Sequence, residues 1–394
     1  MPVLTRLDRV RGSMLGLAIG DALGAPLEGL SPQQIRAHYQ TVTDYVDGAK
    51  AWKKKPFRWR LPGLYTDDTQ QAMALAEVLV SAGSVDADHL ARIYLDLATP
   101  DLGYAGAHRG VGRSFRQVLA DLKRGVAPSE SGQPSVGVGA AMRIAPVGLY
   151  HADDPEALFS GVMAASLMTH RDVRSLSGAM AVALAVARLA NGADRDPSFA
   201  LWLAADVARA EDRIAAEHAG SVTSIGAHRR SLSTAIAHVE SLAELPRDRA
   251  LTALAEHANG HGPDSPVRRA TQGFPPACIP TCLYLLLSTE TAEEALVDAV
   301  NLGGDADSVG AILGAMVGAH HGLDALPVRW LVGLQNRESI DLRARALHDR
   351  STAGLEIPEL APREHELSAL EVANRDALLS HPPYGGDLGA NRRA

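Results

Sequence analysis

The sequence predicts an all-helical protein, and three observations support this fold class. Apolar residues make up 46% of the chain, which is ordinary for a globular core. Aromatic residues are scarce at 4%, whereas alanine and leucine are abundant, which favours closely packed helices of small residues. Apolar side chains also recur at helical spacing, as in Val10, Met14 and Leu17. A length of 394 residues suits one large domain or two.

The bulk properties exclude several classes of protein. A net charge of −8 predicts solubility without general affinity for nucleic acid or anionic membranes. Cys278 and Cys282 lie in a predicted buried helix, so we expect buried thiols in a reducing cytosol and not a disulfide framework. Residues 14–19 are too short for a signal peptide, and Asp21 interrupts the apolar run. No stretch approaches the roughly 20 apolar residues that span a bilayer. We therefore expect a cytoplasmic monomer without a membrane partner.

The first helix is predicted over residues 7–22 and ends where Gly24 and Pro26 break the pattern. Asp21 near its end is either a capping acid or a structural one. Glu28 follows as an acid displayed just past the helix in an apolar stretch. This stretch alone is equally consistent with a functional acid and with an ordinary glutamate of a surface loop.

Residues 44–65 have the composition of a long loop. Six basic residues lie between positions 50 and 60 with no acid among them, and aromatic residues interleave with them. The basic residues are Lys50, Lys53, Lys54, Lys55, Arg58 and Arg60, and the aromatic ones are Trp52, Phe57 and Trp59. Such a loop either binds phosphates and stacks bases or is a solvated loop anchored by its aromatic rings.

Two stretches place paired acids at predicted helix starts. The helix at 66–80 opens with two adjacent acids, and Thr66 or Asp67 is expected to cap it. The stretch 303–308 has two glycines, two acids two residues apart and a hydroxyl, before the apolar helix at 309–319. Acids at a helix start are also favourable for structural reasons alone. Oxygen ligands without His or Cys suit Mg²⁺ or Mn²⁺ and not zinc.

The remaining stretches contain two glycine loops and further helices. Residues 99–112 include Asp101 and Tyr104, and residues 135–143 carry alternating glycines that either offer amides to a phosphate or make a packing turn. Further helices are predicted at 155–168, 173–190, several between 199 and 254, 276–288, one from a capping box at 291–294, 326–334 and 338–348. We expect residues 1–350 to form a helical domain, and residues 351–394 to form a tail, partly extended, with one short helix near 367–379.

Taken together, these motifs resemble the ADP-ribosylglycohydrolase family, which includes dinitrogenase-reductase activating glycohydrolases and ADP-ribosyl-acceptor hydrolases. The matching stretches occur in the family's order over roughly residues 10–350. They are Gly16-Leu17-Ala18-Ile19-Gly20-Asp21-Ala22-Leu23-Gly24 with Glu28, Thr66-Asp67-Asp68-Thr69, residues 139–146, Thr169-His170 and Asn301-Leu302-Gly303-Gly304-Asp305-Ala306-Asp307-Ser308.

The resemblance implies an orthogonal multi-helix bundle with a dinuclear site for Mg²⁺ or Mn²⁺. It implies a hydrolase that releases ADP-ribose from an ADP-ribosylated protein or another acceptor, with Glu28 positioning or activating the attacking water. The implied metal ligands are Thr66, Asp67, Asp68, Asp305, Asp307 and Ser308. The implied substrate-binding residues are Gly137, Val138, Gly139, Ala140 and Met142 near the phosphates, and His170 near the ribose or adenine. Asp101 and Tyr104, in the loop at 99–112, are two further candidates for substrate binding.

Two positions depart from the family pattern. Ser308 stands where the family usually has threonine, and a serine hydroxyl coordinates equally well. Val138 stands where the glycine loop usually carries asparagine, so the side-chain contact of that amide is absent. The charge balance supports two ions independently, because four gathered carboxylates supply about −4 and two divalent ions about +4.

Two other functions fit parts of the pattern. A dimetal nucleotide phosphohydrolase would use similar acids, although such sites often include histidine ligands. A non-catalytic ADP-ribose-binding protein could be built on the same fold. If residues 50–60 lie at the rim of the site, their charge would favour an acidic or nucleic-acid acceptor.

Overall fold

The computed structural model describes residues 4–99, 105–196 and 198–381, and these residues contain helices but no β-strand. The all-α fold class is therefore confirmed. The α-helices are α1 (Arg6–Gly24), α2 (Pro32–Tyr39), α3 (Asp67–Ala82), α4 (Ala87–Leu97), α5 (Arg113–Lys123), α6 (Pro128–Ser131), α7 (Ala145–Tyr150), α8 (Pro155–Leu167), α9 (Val173–Ala190), α10 (Ser198–Glu217), α11 (Ile225–His228), α12 (Ser231–Ala237), α13 (Arg247–Asn259), α14 (Pro275–Ser288), α15 (Ala292–Asn301), α16 (Ala306–His321), α17 (Val328–Gly333), α18 (Arg337–Asp349) and α19 (Leu360–Ser380).

Glycines hold α1 and α16 together as a central antiparallel pair. The facing residues, four apart on each helix, are Gly12 with Gly318, Gly16 with Gly314, Gly20 with Gly310 and Gly24 with Ala306. A Cβ on any of these α1 glycines would lie closer than 3.0 Å to a backbone atom of α16, so the two backbones pack directly on each other. Because the helices run in opposite directions, the end of α1 lies beside the start of α16. This arrangement brings Asp21 and Glu28 to the acid pair of α16.

The predicted helices agree closely with the structure where the apolar spacing is regular. The bounds of α9 are those predicted, and α8 and α14 each differ from prediction by one residue at one end. By contrast, α2, α4 and α5 lie where no helix is predicted. Each of them buries only one face, such as Leu90, Ile93 and Tyr94 of α4, and the polar residues between obscure the pattern.

The core helix α9 is long and apolar enough to cross a bilayer by length and composition, so the prediction that no stretch approaches such a span is wrong. In the fold, 89% of that helix is buried, because α7, α8, α10, α14 and α16 pack around it. Its apolar side chains therefore form part of the hydrophobic core. Cys278 and Cys282 are buried free thiols on α14, as predicted.

The helix near the C-terminus is longer than predicted. α19 begins at Leu360, seven residues before the short helix expected at 367–379, and it packs onto α3 and α4. The first turns of α19 contain Glu364, whose side chain is fully buried. This part of the chain is therefore packed into the protein and is not an extended tail. The division of the chain at residue 350 stays a prediction.

Glu364 joins α19 to the segments around the acid pair of α3. It forms a buried ion pair with Arg109 and accepts hydrogen bonds from Tyr65 Oη (2.6 Å) and Gln70 Nε2 (2.8 Å). The Arg109 carbonyl in turn accepts a hydrogen bond from the Asp67 amide (2.7 Å). A side chain of the C-terminal helix therefore supports the backbone of the first acid pair.

We expect Glu364→Ala to lower the free energy of unfolding by about 3–5 kcal/mol, because it leaves the Arg109 guanidinium buried without its counter-charge. Chemical denaturation measures the loss. Glu366→Ala is the matched control, because Glu366 lies on the same helix and forms an exposed pair with Arg363, and it should cost less than about 1 kcal/mol. Small and equal losses in the two variants would contradict the structural role of α19.

Candidate active site

The two predicted acid pairs lie at the starts of α3 and α16. Asp67 and Asp68 are the first two residues of α3, while Asp305 precedes α16 and Asp307 is its second residue. Gly303 and Gly304, with φ of 62° and 76°, make the turn before α16. Only glycine adopts such angles readily, and a Cβ on Gly303 would overlap the carbonyl of residue 30. The turn thus sets where the second acid pair points.

Asp21 caps α3, which resolves the alternatives that the sequence left open. Its carboxylate accepts hydrogen bonds from the amides of Thr66 and Thr69 (2.9–3.0 Å) and from their hydroxyls (2.8 and 2.6 Å). Thr66 occupies the N-cap position, one of the two that were predicted, but its hydroxyl donates to Asp21 and makes no capping bond. That hydroxyl oxygen lies 3.3 Å from Asp68 Oδ1 and keeps lone pairs for a ligand.

A cavity of about 220 Å³, here called the acid cavity, collects the acids from both helices. Its lining residues from the predicted site are Glu28, Asp67, Asp68, Asp305, Asp307, Ser308, Gly137, Val138, Gly139, Met142 and His170. Thr66 and Ala140 do not line it, and Ala140 is fully buried in the core. Acids more than 230 positions apart in the sequence therefore share one small space.

Burial dominates the electrostatics of the acid cavity. It raises the pKa of Asp67 to about 8, with the Asp21 carboxylate as the next cause, and raises the pKa of Asp305 to about 6. Burial also holds the pKa values of Asp68 and Asp307 well above the ordinary value, and the neighbouring carboxylates raise them further. The four carboxylates therefore repel one another, and a positive charge among them would stabilise their ionised forms.

The donor set fits a hard divalent cation. The acids and the Ser308 hydroxyl offer only oxygen ligands, and Asp68 Oδ2 is buried without a hydrogen-bond partner among the described residues. A buried, unpaired carboxylate oxygen is costly unless something binds it. Within 4–99, 105–196 and 198–381, no three His, Cys, Asp or Glu side chains form a ready metal-binding group. The fit therefore rests on donor chemistry and not on preformed coordination geometry.

Glu28 lies at the edge of the acid cavity, where α1 leads through a short 3₁₀ turn (Ala25–Leu27) into the next loop. Its carboxylate accepts a hydrogen bond from Arg58 Nη1 at 2.9 Å, and its side chain is 33% exposed. Its charge also contributes to the raised pKa values of Asp305 and Asp307. Glu28 thus faces the acids while remaining open to solvent, and a residue of the basic loop holds it there.

The glycine loop forms the wall opposite the acids. Gly139 packs against His170, where a Cβ would lie 2.9 Å from the imidazole Cε1. Met142 Sδ accepts a weak hydrogen bond from Ser308 Oγ (3.7 Å), which joins this loop to the start of α16. Val138 is buried at the cavity wall and offers no polar side-chain atom there.

A buried chain of hydrogen bonds connects the first acid pair to His170. Gln71 Nε2 donates to Asp67 Oδ2 (2.8 Å), and Arg143 donates to Gln71 Oε1 and to the Thr169 hydroxyl (both 2.5 Å). That hydroxyl lies 2.9 Å from His170 Nδ1. Burial and the Arg143 charge lower the pKa of His170 to about 3, so the imidazole is neutral at physiological pH.

Sequence reasoning missed Gln71, Arg143, Arg58 and Arg109 as supports of the site. Gln71 follows Asp67 by one helical turn, so the sequence already indicates that the two side chains lie on the same face of the helix. The arginine contacts join distant segments and leave no local signal. Two predicted substrate-binding residues, Asp101 and Tyr104, lie outside the described residues.

Comparisons with known proteins identify the family of this chain. The family model described as ADP-ribosylglycohydrolase matches residues 2–355. An uncharacterized protein of Archaeoglobus fulgidus is 30% identical over 346 residues, which cover 87% of this chain and 96% of that protein. The ADP-ribosyl-[dinitrogen reductase] glycohydrolase of Rhodospirillum rubrum is 25% identical over 352 residues, with 89% and 98% covered. A solved structure described as an ADP-ribosylglycohydrolase-related protein complex aligns with a TM-score of 0.62 at 29% identity, covering 88% of this chain and 99% of that chain. The chain belongs to the ADP-ribosylglycohydrolase family.

Proposed function

We propose that this protein is a metal-dependent hydrolase that cleaves the glycosidic bond between ADP-ribose and an acceptor and releases ADP-ribose. The observation that carries the proposal is the convergence of four aspartates, three of them buried, and Glu28 on one cavity that a glycine loop also lines. Family membership supports an ADP-ribosyl hydrolase in general terms. The bond type, the acceptor and the metals are parts of the proposal.

In this proposal the residues that hold two ions are the predicted ligands, Thr66, Asp67, Asp68, Asp305, Asp307 and Ser308. When bound, Mg²⁺ or Mn²⁺ ions supply positive charge that orients oxygen atoms and lowers the pKa of a water molecule. The raised pKa values of the acids and the unpartnered Asp68 oxygen support a cationic occupant. Asp21 has the different task of fixing the start of α3, because its oxygens are already used by Thr66 and Thr69.

Glu28 is the proposed acid–base residue. A carboxylate beside the sugar can take a proton from the attacking water while the C1″ bond breaks through an oxocarbenium-like state. The Arg58 hydrogen bond fixes one carboxylate oxygen and leaves the other for the water. The Glu28 side chain is 33% exposed to solvent, which suits proton exchange with water.

The glycine loop and His170 are proposed to hold ADP-ribose. Backbone amides of residues 137–140 suit the diphosphate, since those of Ala141 and Met142 already donate to the Val138 carbonyl. The Val138 side chain offers the diphosphate no polar contact. A neutral His170 offers one ring nitrogen to the ribose or adenine, since the other faces Thr169. The hydrogen-bonded chain through Arg143 fixes this ring relative to Asp67.

A panel of ADP-ribosylated substrates tests the proposal. Arginine-, serine-, nucleobase- and ester-linked ADP-ribose would each be incubated with Mg²⁺, Mn²⁺ or EDTA, and the products identified by mass spectrometry. We expect metal-dependent release of intact ADP-ribose from at least one substrate. A phosphate-ester product would instead identify a nucleotide phosphohydrolase. Binding of ADP-ribose without turnover of any substrate would identify a non-catalytic binding protein.

A further inference from the structure

A second, larger cavity opens beside the acid cavity, and six arginines line it. It has a volume of about 780 Å³, and we call it the arginine vestibule. The charged and aromatic residues that define it are Arg58, Arg60, Arg109, Arg113, Arg116 and Arg375, with Glu28, Glu371 and Phe57. It shares Glu28, Gly110, Gly112 and Arg113 with the acid cavity, so the two spaces are continuous at Glu28.

The charge of the vestibule is opposite in sign to the net charge of the protein. The chain carries −8, yet six arginines and only two glutamates line this cavity. Glu364 neutralises Arg109 from behind, and Glu28 pairs with Arg58. Among the described residues, neither Arg60 nor Arg375 forms an ion pair, and both line the vestibule without lining the acid cavity. Arg60 and Arg375 therefore contribute positive charge to the vestibule that no ion pair among the described residues offsets.

The position of the vestibule identifies which part of a substrate it would meet. The glycine loop and His170 line the acid cavity and are absent from the vestibule. If the proposed function holds, the bond cleaved beside Glu28 has ADP-ribose on the side of the glycine loop. The acceptor then lies on the opposite side of Glu28, in the vestibule.

We propose, resting on the proposed function, that the arginine vestibule binds the acceptor and that the acceptor is a single strand of nucleic acid. Arginine guanidinium groups match phosphate oxygens in paired hydrogen bonds. Phe57 projects from the rim with 64% of its surface exposed, and an exposed ring beside cationic groups is suited to stack on an unpaired base. An arginine acceptor on a protein would bring a positive charge into a positive cavity.

The structure moves the expected contacts from the lysines of the basic loop to its arginines. Lys53, Lys54 and Lys55 are exposed but do not line the vestibule, whereas Arg58 and Arg60 do. Arg58 is unsuitable for a test, because its removal would also release Glu28. Arg60 and Arg375 are the informative positions.

The test compares Arg60→Gln/Arg375→Gln with Arg92→Gln/Arg249→Gln, a control pair of exposed arginines outside both cavities. Each protein would be given a single-stranded oligonucleotide carrying ADP-ribose on a base, a small ADP-ribosyl-arginine conjugate and an ADP-ribosylated glutamate-rich peptide. We expect the vestibule variant to lose at least about tenfold in kcat/KM on the oligonucleotide relative to its change on the conjugate. The control pair should leave that ratio unchanged.

The salt dependence of binding gives a second readout that does not need turnover. Binding of an unmodified single strand to the wild-type protein should weaken with salt, and the slope of log K against log salt should shrink by about 1 in the vestibule variant. A wild-type slope near zero would overturn the inference even if the variant failed to fold.

The possible failures are distinguishable. The wild-type protein could release ADP-ribose from the conjugate while the vestibule variant keeps the wild-type ratio of kcat/KM on the oligonucleotide to kcat/KM on the conjugate. That result would overturn the acceptor assignment alone. Equal sensitivity of the glutamate-rich peptide would assign the vestibule to acidic protein segments and overturn the nucleic-acid assignment. No release from any substrate by the wild-type protein would overturn the proposed function itself.

Discussion

Glu28→Gln is expected to lower kcat by about 10²–10⁴ while leaving ADP-ribose and metal affinity within a few-fold of wild type. The substitution keeps the size and hydrogen-bonding reach of the side chain but removes the proton acceptor. Glu28 is the proposed acid–base residue because it faces the acids of both helices and is also open to water. Steady-state kinetics on the best substrate of the panel measures turnover, and calorimetry with ADP-ribose measures binding.

The control for this variant is Glu130→Gln, which removes an exposed carboxylate on α6, outside both cavities. It should keep wild-type kinetics. If Glu28→Gln retained wild-type turnover, Glu28 would have no acid–base role, and the catalytic group would have to be sought elsewhere in the cavity.

Asp68→Asn is expected to abolish metal binding while leaving the metal-free protein at least as stable as wild type. Asp68 is buried, its pKa is held high, and one of its oxygens has no partner among the described residues. An amide of the same shape removes one of the mutually repelling charges, so the metal-free fold should not suffer. In wild type, Mn²⁺ at about 100 times Kd should stabilise the fold by about 2.7 kcal/mol, and this gain should vanish in the variant.

The same groups predict how stability depends on pH. The folded pKa of Asp67, about 8, lies above its ordinary value of 3.8, so folding favours the protonated form. The stability of metal-free protein should therefore fall as the pH rises through about 8, and bound metal should reduce that loss. Denaturation of wild type between pH 6 and pH 9, with Mn²⁺ and with EDTA, measures both effects. Equal Mn²⁺ affinity in wild type and Asp68→Asn would remove Asp68 from the ligand set.

Local patterns in the sequence anticipated the parts of this fold that depend on neighbouring residues. The bounds of α9 follow from apolar spacing alone, and the acids at the starts of α3 and α16 are visible as pairs. The glycines of α16 are also visible in the sequence, and in the fold they let the backbone of α1 approach closely. These features are readable because each is encoded within a few turns of helix.

Other assignments needed contacts that no local pattern contains. Asp21 was ambiguous until the amides of Thr66 and Thr69 were found on its carboxylate. No pattern in the sequence pairs Arg58 of the basic loop with Glu28, and the segment predicted as a partly extended tail contains Glu364, which pairs with Arg109. Each of these pairs joins segments that are far apart in the sequence.

By itself, the sequence determined an all-helical chain of this family, with acids placed at two helix starts and a glutamate after the first helix. Only the tertiary structure decided that these groups share one cavity, that burial raises their pKa values, and that an arginine-lined space opens beside Glu28. The physical reason is that helix formation depends on side chains a few positions apart. Burial and charge depend on which distant segments pack together, and here the glycine contacts between α1 and α16 decide that.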